Sequence, residues 1–285
     1  MKFLEPLIRL QSLFASHPLT KDKVLKSWSR FISWQVRSRF KSELRETWIN
    51  DLTVVVKRGM TGATGNIYVG LLEFPDMSFL LHFLRPGDLF VDIGSNVGSF
   101  TILASGVCGA KTYSFDPGTE AAIYLQKNVR ANGLGSLVRF HNFALGSSND
   151  EVSFTKGLGA VNRVNGKGAK VKVKQKTLDE VLAHEVPIFI KLDVEGYELA
   201  VLRGSKKTLR NNKLVAIQVE TICPEILEML NQHGFDQYYY DPISRKISEH
   251  SFNLEPANTL FIRDLKKAQC RVKAAEKVCV LGREI

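Results

Sequence analysis

Between residues 88 and 233, short apolar runs bounded by turn residues alternate with stretches whose apolar residues recur at steps of three or four. Alternation of a two-residue with a 3.6-residue period is the pattern of strands joined by crossover helices, and such chains close a parallel sheet covered by helices. The expected strands are residues 89–93, 112–115, 138–144, 188–193 and 214–220. The expected helices are residues 99–106, 119–132, 177–183, 197–202, 206–211 and 224–233. Two later apolar runs, 235–240 and 259–263, have no long helix between them and are expected to pair antiparallel at the far edge.

Composition narrows the class. The chain has 285 residues, 44% hydrophobic and 24% charged, which supports a substantial core and excludes a disordered or fibrous chain. No apolar run reaches the roughly 18 residues of a membrane span. Residues 1–17 are interrupted by Glu5 and Arg9 and read as mature protein, not as a signal peptide. Lys and Arg number 39 against 29 Asp and Glu, a net charge of +10 that favours an acidic partner, an anionic membrane surface or an acidic substrate. Cys108, Cys223, Cys270 and Cys279 form no C-x-x-C pair and are too sparse for a disulfide framework, so a reduced, cytoplasmic protein is expected.

Residues 26–48 place Trp28, Phe31, Ile32, Val36, Phe40 and Leu44 at largely helical spacing among Arg30, Arg37, Arg39, Lys41 and Arg45. Residues 1–50 are therefore expected as a basic helical appendage to a domain over 51–265, with 266–285 as a basic tail. The appendage has three accounts: it packs on the core or on a second subunit of a homo-oligomer, it rests at an anionic membrane, or it caps the active site. Residues 52–56 and 67–72 are expected strands around a glycine-rich turn at 60–65. Residues 152–176 carry Lys156, Arg163, Lys167, Lys170, Lys172, Lys174 and Lys176 with no carboxylate, and the alternation at 170–174 predicts a half-buried hairpin strand whose cationic face is either simply solvated, the commoner case, or steers an anionic acceptor such as a phosphorylated or acidic glycan.

Three phrases carry chemistry. In Asp92-Ile93-Gly94-Ser95-Asn96-Val97-Gly98, directly after a strand, Gly94 and Gly98 let the backbone turn tightly and approach a ligand. N–H groups there can take an anionic group. A dinucleotide fingerprint needs glycine where this chain has Asn96, so nicotinamide binding is disfavoured, and Asp92 can face a cation instead. In Phe115-Asp116-Pro117, Asp116 lies 116 − 92 = 24 residues on, the place of a ribose clamp, with helix capping as the alternative. In Ile190-Lys191-Leu192-Asp193-Val194-Glu195-Gly196-Tyr197-Glu198, Asp193 and Glu195 sit at the carboxyl end of the sheet, where open α/β folds bind ligands, and Glu220 ends the next strand. Glu198 fits a helix first turn. His141, inside a strand, reads as a packed residue, and no H-E-x-x-H spacing marks a metal site.

These phrases, with residues 128–134, Ala144-Leu145-Gly146, Thr177-Leu178-Asp179-Glu180 and Val201-Leu202-Arg203-Gly204, resemble the FkbM family of S-adenosylmethionine-dependent methyltransferases over residues 88–240. That family usually has glutamate where this chain has Asp116. The resemblance implies an α/β, Rossmann-like class I methyltransferase fold, with a seven-stranded, mostly parallel sheet of order 3-2-1-4-5-7-6. It also implies S-adenosyl-L-methionine as cofactor and methyl transfer to a hydroxyl of a small molecule or glycan by in-line displacement. Cofactor contacts would come from Asp92, Gly94, Ser95, Asn96, Gly98, Asp116, Phe143, Ala144 and Asp193. Within that set the three aspartates would face the sulfonium, and N–H groups around Gly94 and Asn96 the methionine carboxylate. A hydroxyl acceptor needs a general base, first Asp193 or Glu195 and second Glu220. Nucleic-acid methylation ranks second, because residues 193–196 do not resemble the Asn/Asp-Pro-Pro-Tyr motif; a catalytically silent binding protein is the remaining alternative.

Overall fold

The computed structural model describes residues 5–155, 163–164, 166, 168–252 and 254–285. The chain begins with helices α1 (Glu5–Ser16) and α2 (Val24–Phe40), the hairpin β1 (Leu44–Thr47) and β2 (Thr53–Val56), and helices α3 (Thr61–Val69) and α4 (Phe74–Phe83). The alternating region then gives β3 (Leu89–Ile93), α5 (Ser99–Ile102), β4 (Lys111–Phe115), α6 (Thr119–Ala131) and β5 (Val138–His141). Next come β6 (Ala144–Leu145), β7 (Asp150–Thr155), β8 (Lys170–Lys176), α7 (Leu178–Leu182), β9 (Phe189–Leu192), α8 (Glu198–Arg203), α9 (Lys206–Arg210), β10 (Ala216–Val219) and α10 (Pro224–Gln232). The chain ends with β11 (Asp236–Asp241), β12 (Lys246–Ser248), β13 (Thr259–Ile262), α11 (Leu265–Lys273), β14 (Cys279–Val280) and β15 (Arg283–Glu284).

The main sheet runs β12-β11-β13-β10-β9-β3-β4-β5. Strands β5, β4, β3, β9 and β10 are mutually parallel, and β13, β11 and β12 are antiparallel. Numbering β3, β4, β5, β9, β10, β11 and β13 as one to seven gives the expected order 3-2-1-4-5-7-6, with β12 as an added edge. Strands β3, β9 and β10 are buried at every residue, because helices cover both faces; this is why they read as continuous apolar runs. Phe90, Phe189 and Ala216 pack on one side with α4 and α11, and Val91, Ile190 and Ile217 on the other with α7, α8 and α10.

Several expectations are corrected. The basic helix stops at Phe40 rather than running to residue 48, and Leu44 is buried in β1 opposite Val56. The β-branched run Thr53–Val56 is mostly buried, and its backbone groups need a ladder partner that β1 supplies. Residues 61–69, expected as a turn and a strand, form α3; burial of Ala63, Tyr68 and Val69 overrides the poor helix propensity of Gly62 and Gly65. Residues 266–285, expected as a basic tail, pack on the domain: α11 and the β14–β15 hairpin bury Ala268, Val272, Val280 and Ile285. The lysine-rich strand β8 pairs with β7 and β6, yet Val171 is 44% exposed, so its apolar face is covered less than expected. Lys156 and Lys167 lie outside the described residues. Among those residues no helix is long and apolar enough to cross a membrane.

Candidate active site

The loop after β3 is fastened to its neighbours by its own backbone. Gly94 has φ +79°, and a Cβ there would lie 1.7 Å from the Asp193 carbonyl oxygen, so no side chain fits where this loop crosses the end of β9. The N–H groups of Gly94 and Ser95 donate to the Phe115 carbonyl at 2.9 and 3.0 Å, and that of Gly98 to Ser95 at 2.8 Å. The Asn96 N–H donates to Asp116 Oδ2 at 2.9 Å. The N–H groups of Gly94, Ser95, Asn96 and Gly98 are thus engaged in shaping the loop.

Asp116 directly follows β4, and its Oδ1 accepts the Gly118 N–H at 2.7 Å. Burial pushes its carboxyl up to about 6 against these two N–H bonds. Gly118, not Asp116, is the residue capping α6. Beside it, Asn142 Nδ2 donates to the Asp116 carbonyl, His141 stacks on Phe115 at 4.8 Å, and the Phe143 ring lies 5.8 Å from that of Phe115. Ala144 is buried in β6. Asp92, near the end of β3, is 1% exposed. Its Oδ2 accepts from Thr101 at 2.6 Å, Oδ1 has no partner among the described residues, and burial pushes the carboxyl up to about 6. Ser95 Oγ is likewise buried without a partner among those residues.

In register with Asp92 on the same face of the sheet stand Lys191 and Gln218, a polar row across three apolar strands. Lys191, 2% exposed, donates from Nζ to Asp193 Oδ2 at 2.5 Å and lies 4.5 Å from the centre of the Phe100 ring. From α4, Asp76 accepts Gln218 Nε2 at 3.1 Å and the Ala257 N–H at 2.8 Å, while Asn258 donates to Glu73 at 3.1 Å. Burial works against the Lys191 ammonium, but the Asp193, Glu73 and Asp92 carboxylates outweigh it and raise its pKa. Burial and the Glu73 carboxylate push Asp76 up to about 8.

The three expected base candidates converge. One oxygen each of Asp193, Glu195 and Glu220 lies within 4.8 Å of the other two. Burial would raise Asp193, yet the Lys191 ammonium holds it below the ordinary range. Burial and then the Asp193 carboxylate push Glu220 up to about 8, and Glu220 Oε2 has no hydrogen-bond partner among the described residues. Glu195 is raised by burial and by Asp193, and its φ of +54° marks a strained backbone at the mouth of the site. Glu198 is 1% exposed and accepts the Val194 and Gly196 N–H groups at 3.3 and 3.2 Å, so it holds the loop that carries Glu195. Three carboxylates at this spacing share protons or a cation rather than all remaining bare anions.

The description Methyltransferase FkbM domain matches residues 92–254, more than half of the chain. The chain belongs to the FkbM methyltransferase family. It is 30% identical over 146 residues to the hexuronic acid methyltransferase AglP of Haloferax volcanii, a match covering 49% of this chain and 59% of that protein. Among solved structures it is similar to the methyltransferase FkbM from Methylobacillus flagellatus, with a TM-score of 0.44 and 14% identity over 85% of this chain and 60% of that one. It is also similar to a putative rRNA methylase from Clostridium thermocellum, with a TM-score of 0.41 and 14% identity over 66% and 93% of the two chains. The chain thus spans less than two thirds of the AglP and M. flagellatus proteins.

In this FkbM-family chain, sequence reasoning missed Lys191, Gln218, Asp76, Glu73 and Asn258. A signal existed for three of them: Lys191 and Gln218 are lone polar residues in apolar strands, and Asp76 stands in an apolar helix. It also missed how the N-terminal segment meets the loop. Asn128 of α6 accepts the Val55 N–H at 2.6 Å and donates to the Val97 carbonyl at 2.9 Å, tying β2 to residues 94–98.

Proposed function

We propose that this chain is an S-adenosylmethionine-dependent O-methyltransferase whose acceptor is a hydroxyl of an acidic sugar. The observation that carries this reading is the Asp193–Glu220 pair over buried Lys191, beside the loop that Gly94 presses against β9. The residues suit a cationic, polar cofactor: carboxylates outnumber cations around Lys191, and Asp92 Oδ1 and Ser95 Oγ are buried beneath or within the loop without partners among the described residues. When bound, the cofactor would supply an electrophilic methyl group carried on a sulfonium. Asp116 keeps lone pairs for ribose hydroxyls, and Phe143 with Ala144 would flank the base. Asp193, kept ionised by Lys191, would face the positive charge.

Glu220 is the better general base of the three. Asp193 is stabilised as an anion and is a weak base, whereas Glu220, pushed up to about 8, is matched to removing a hydroxyl proton near neutral pH. This reverses the order expected from sequence. Holding the acceptor oxygen in line beside that carboxylate supplies much of the rate. The family and the likeness to a hexuronic acid methyltransferase support a sugar acceptor. The exposed Lys170, Lys172 and Lys174 of β8 give a uronate carboxylate a cationic approach, and Arg163 acts electrostatically on Glu195 at the mouth.

The test is methyl transfer from labelled S-adenosylmethionine to a glucuronoside and to the matching glucoside. The reading expects labelled methyl ether on the glucuronoside with kcat/KM higher by about tenfold or more. Transfer to RNA transcripts with none to any glycoside would overturn it.

A further inference from the structure

Helix α2 is amphipathic in an unusual sense, because both of its faces are apolar. Trp28, Phe31 and Trp34 turn inward and pack with Phe14, Tyr68 and the β2 valines. Opposite them, Leu25 is 84% exposed, Ile32 56%, Val36 49% and Phe40 84%. Their spacing of seven, four and four residues puts all four on one outward face, which Ser29 and Arg39 share. Leu7 and Ile8 of α1 add two further exposed apolar side chains. A contiguous exposed apolar face of this kind marks an interaction surface.

Its charge setting selects the partner. Residues 23–42 carry Lys23, Lys26, Arg30, Arg37, Arg39 and Lys41 and no carboxylate. Arg30 is spent on the Tyr68 carbonyl and Ser27, and Arg37 on Glu46. Lys23, Lys26, Arg39 and Lys41 are exposed and join no ion pair among the described residues. In a two-fold dimer through this face the same cations would meet their own copies, whereas an anionic surface complements them all at once. We propose that the outward face of α2 is a docking surface for an anionic lipid bilayer, with Leu25, Ile32, Val36 and Phe40 entering the headgroup boundary and the unpaired cations meeting lipid phosphates. An in-plane helix with an apolar stripe and a basic rim binds membranes by this combination, and each cation near the surface contributes about fivefold to partitioning. The inference stands independently of the acceptor.

The experiment is co-sedimentation of the full chain with vesicles of phosphatidylcholine alone and of phosphatidylcholine mixed with phosphatidylglycerol. Binding is expected only to the mixed vesicles, and weaker at higher salt. Leu25→Ser with Phe40→Ser should lower it by about tenfold or more. Lys26→Gln with Arg39→Gln and Lys41→Gln should lower it similarly at low salt. Both sets change exposed side chains, and an unchanged melting temperature and affinity for S-adenosylmethionine would show that the fold is kept. Absence of binding to mixed vesicles would overturn the proposal, as would equal binding to neutral ones. So would a stable dimer by light scattering that Phe40→Ser dissociates.

Discussion

Lys191 Nζ donates to Asp193 Oδ2 at 2.5 Å from a side chain that is almost wholly buried. The ammonium is the charge that lets Asp193, Asp92 and Glu73 lie close together under the site. Removing it leaves these carboxylates uncompensated, which costs about 3–5 kcal/mol at a buried pair. Lys191→Met should therefore lose that much stability in urea unfolding at pH 7, and adding Asp193→Asn should restore part of it. Equal unfolding midpoints for Lys191→Met and the parent chain would show that the ammonium compensates nothing.

Glu220→Gln should lower kcat by about 10²–10⁴-fold while leaving the affinity for S-adenosylmethionine within about twofold, because it removes a base and not a cofactor contact. A base works only when deprotonated, so kcat/KM of the parent chain should rise with pH along a limb centred near the Glu220 value of about 8. In the variant that limb should vanish. A pH–rate profile of both proteins checks this, and a limb retained in Glu220→Gln would assign the base to Glu195 or Asp193.

The strands and the turn after β3 are legible in the sequence because they depend on local pattern, whereas the strand order 3-2-1-4-5-7-6 is what the family resemblance implies. Strands buried on both faces read as apolar runs, and the glycines of residues 94–98 announce a turn. The helix α3 is not legible, because its glycines argue against a helix and only burial beneath β2 and α2 decides otherwise. The polar floor is hidden for another reason. Gln218 finds its partner Asp76 across 142 residues of chain, and no spacing rule links a lone glutamine in a strand to an aspartate in a distant helix. The outward stripe of α2 is not separable from the inward one in the sequence, because Trp28, Phe31, Ile32, Val36 and Phe40 all follow largely helical spacing and only packing divides them.

Gly94→Ala should abolish cofactor binding. The added Cβ meets the Asp193 carbonyl oxygen at 1.7 Å, and φ +79° is a conformation that alanine adopts only with strain. Relief requires the loop to leave β9, which separates the Asn96 N–H from Asp116 and displaces Asp193. Calorimetric titration should show no heat with S-adenosylmethionine, and the melting temperature should fall. Undiminished affinity would place the cofactor elsewhere. Asp116→Ala is the milder companion, with an expected affinity loss of about tenfold or more if the ribose contact proposed for it is made and the loop loosens.

Asp76 makes stability depend on pH. Its folded carboxyl holds a proton up to about 8, because burial and the Glu73 carboxylate disfavour the anion, whereas an unfolded Asp releases it near 4. Between those values the unfolded chain binds fewer protons than the folded one, so this group's contribution to stability falls as pH rises from about 4 to about 8. The slope from one such group is at most about 1.4 kcal/mol per pH unit. Asp76→Asn keeps the shape and abolishes the titration. The variant should therefore gain on the parent chain as pH rises from about 5 to about 8, and the difference should level off above that. Urea unfolding of both proteins across this range measures it, and parallel pH dependences would show that Asp76 is already ionised in the folded chain.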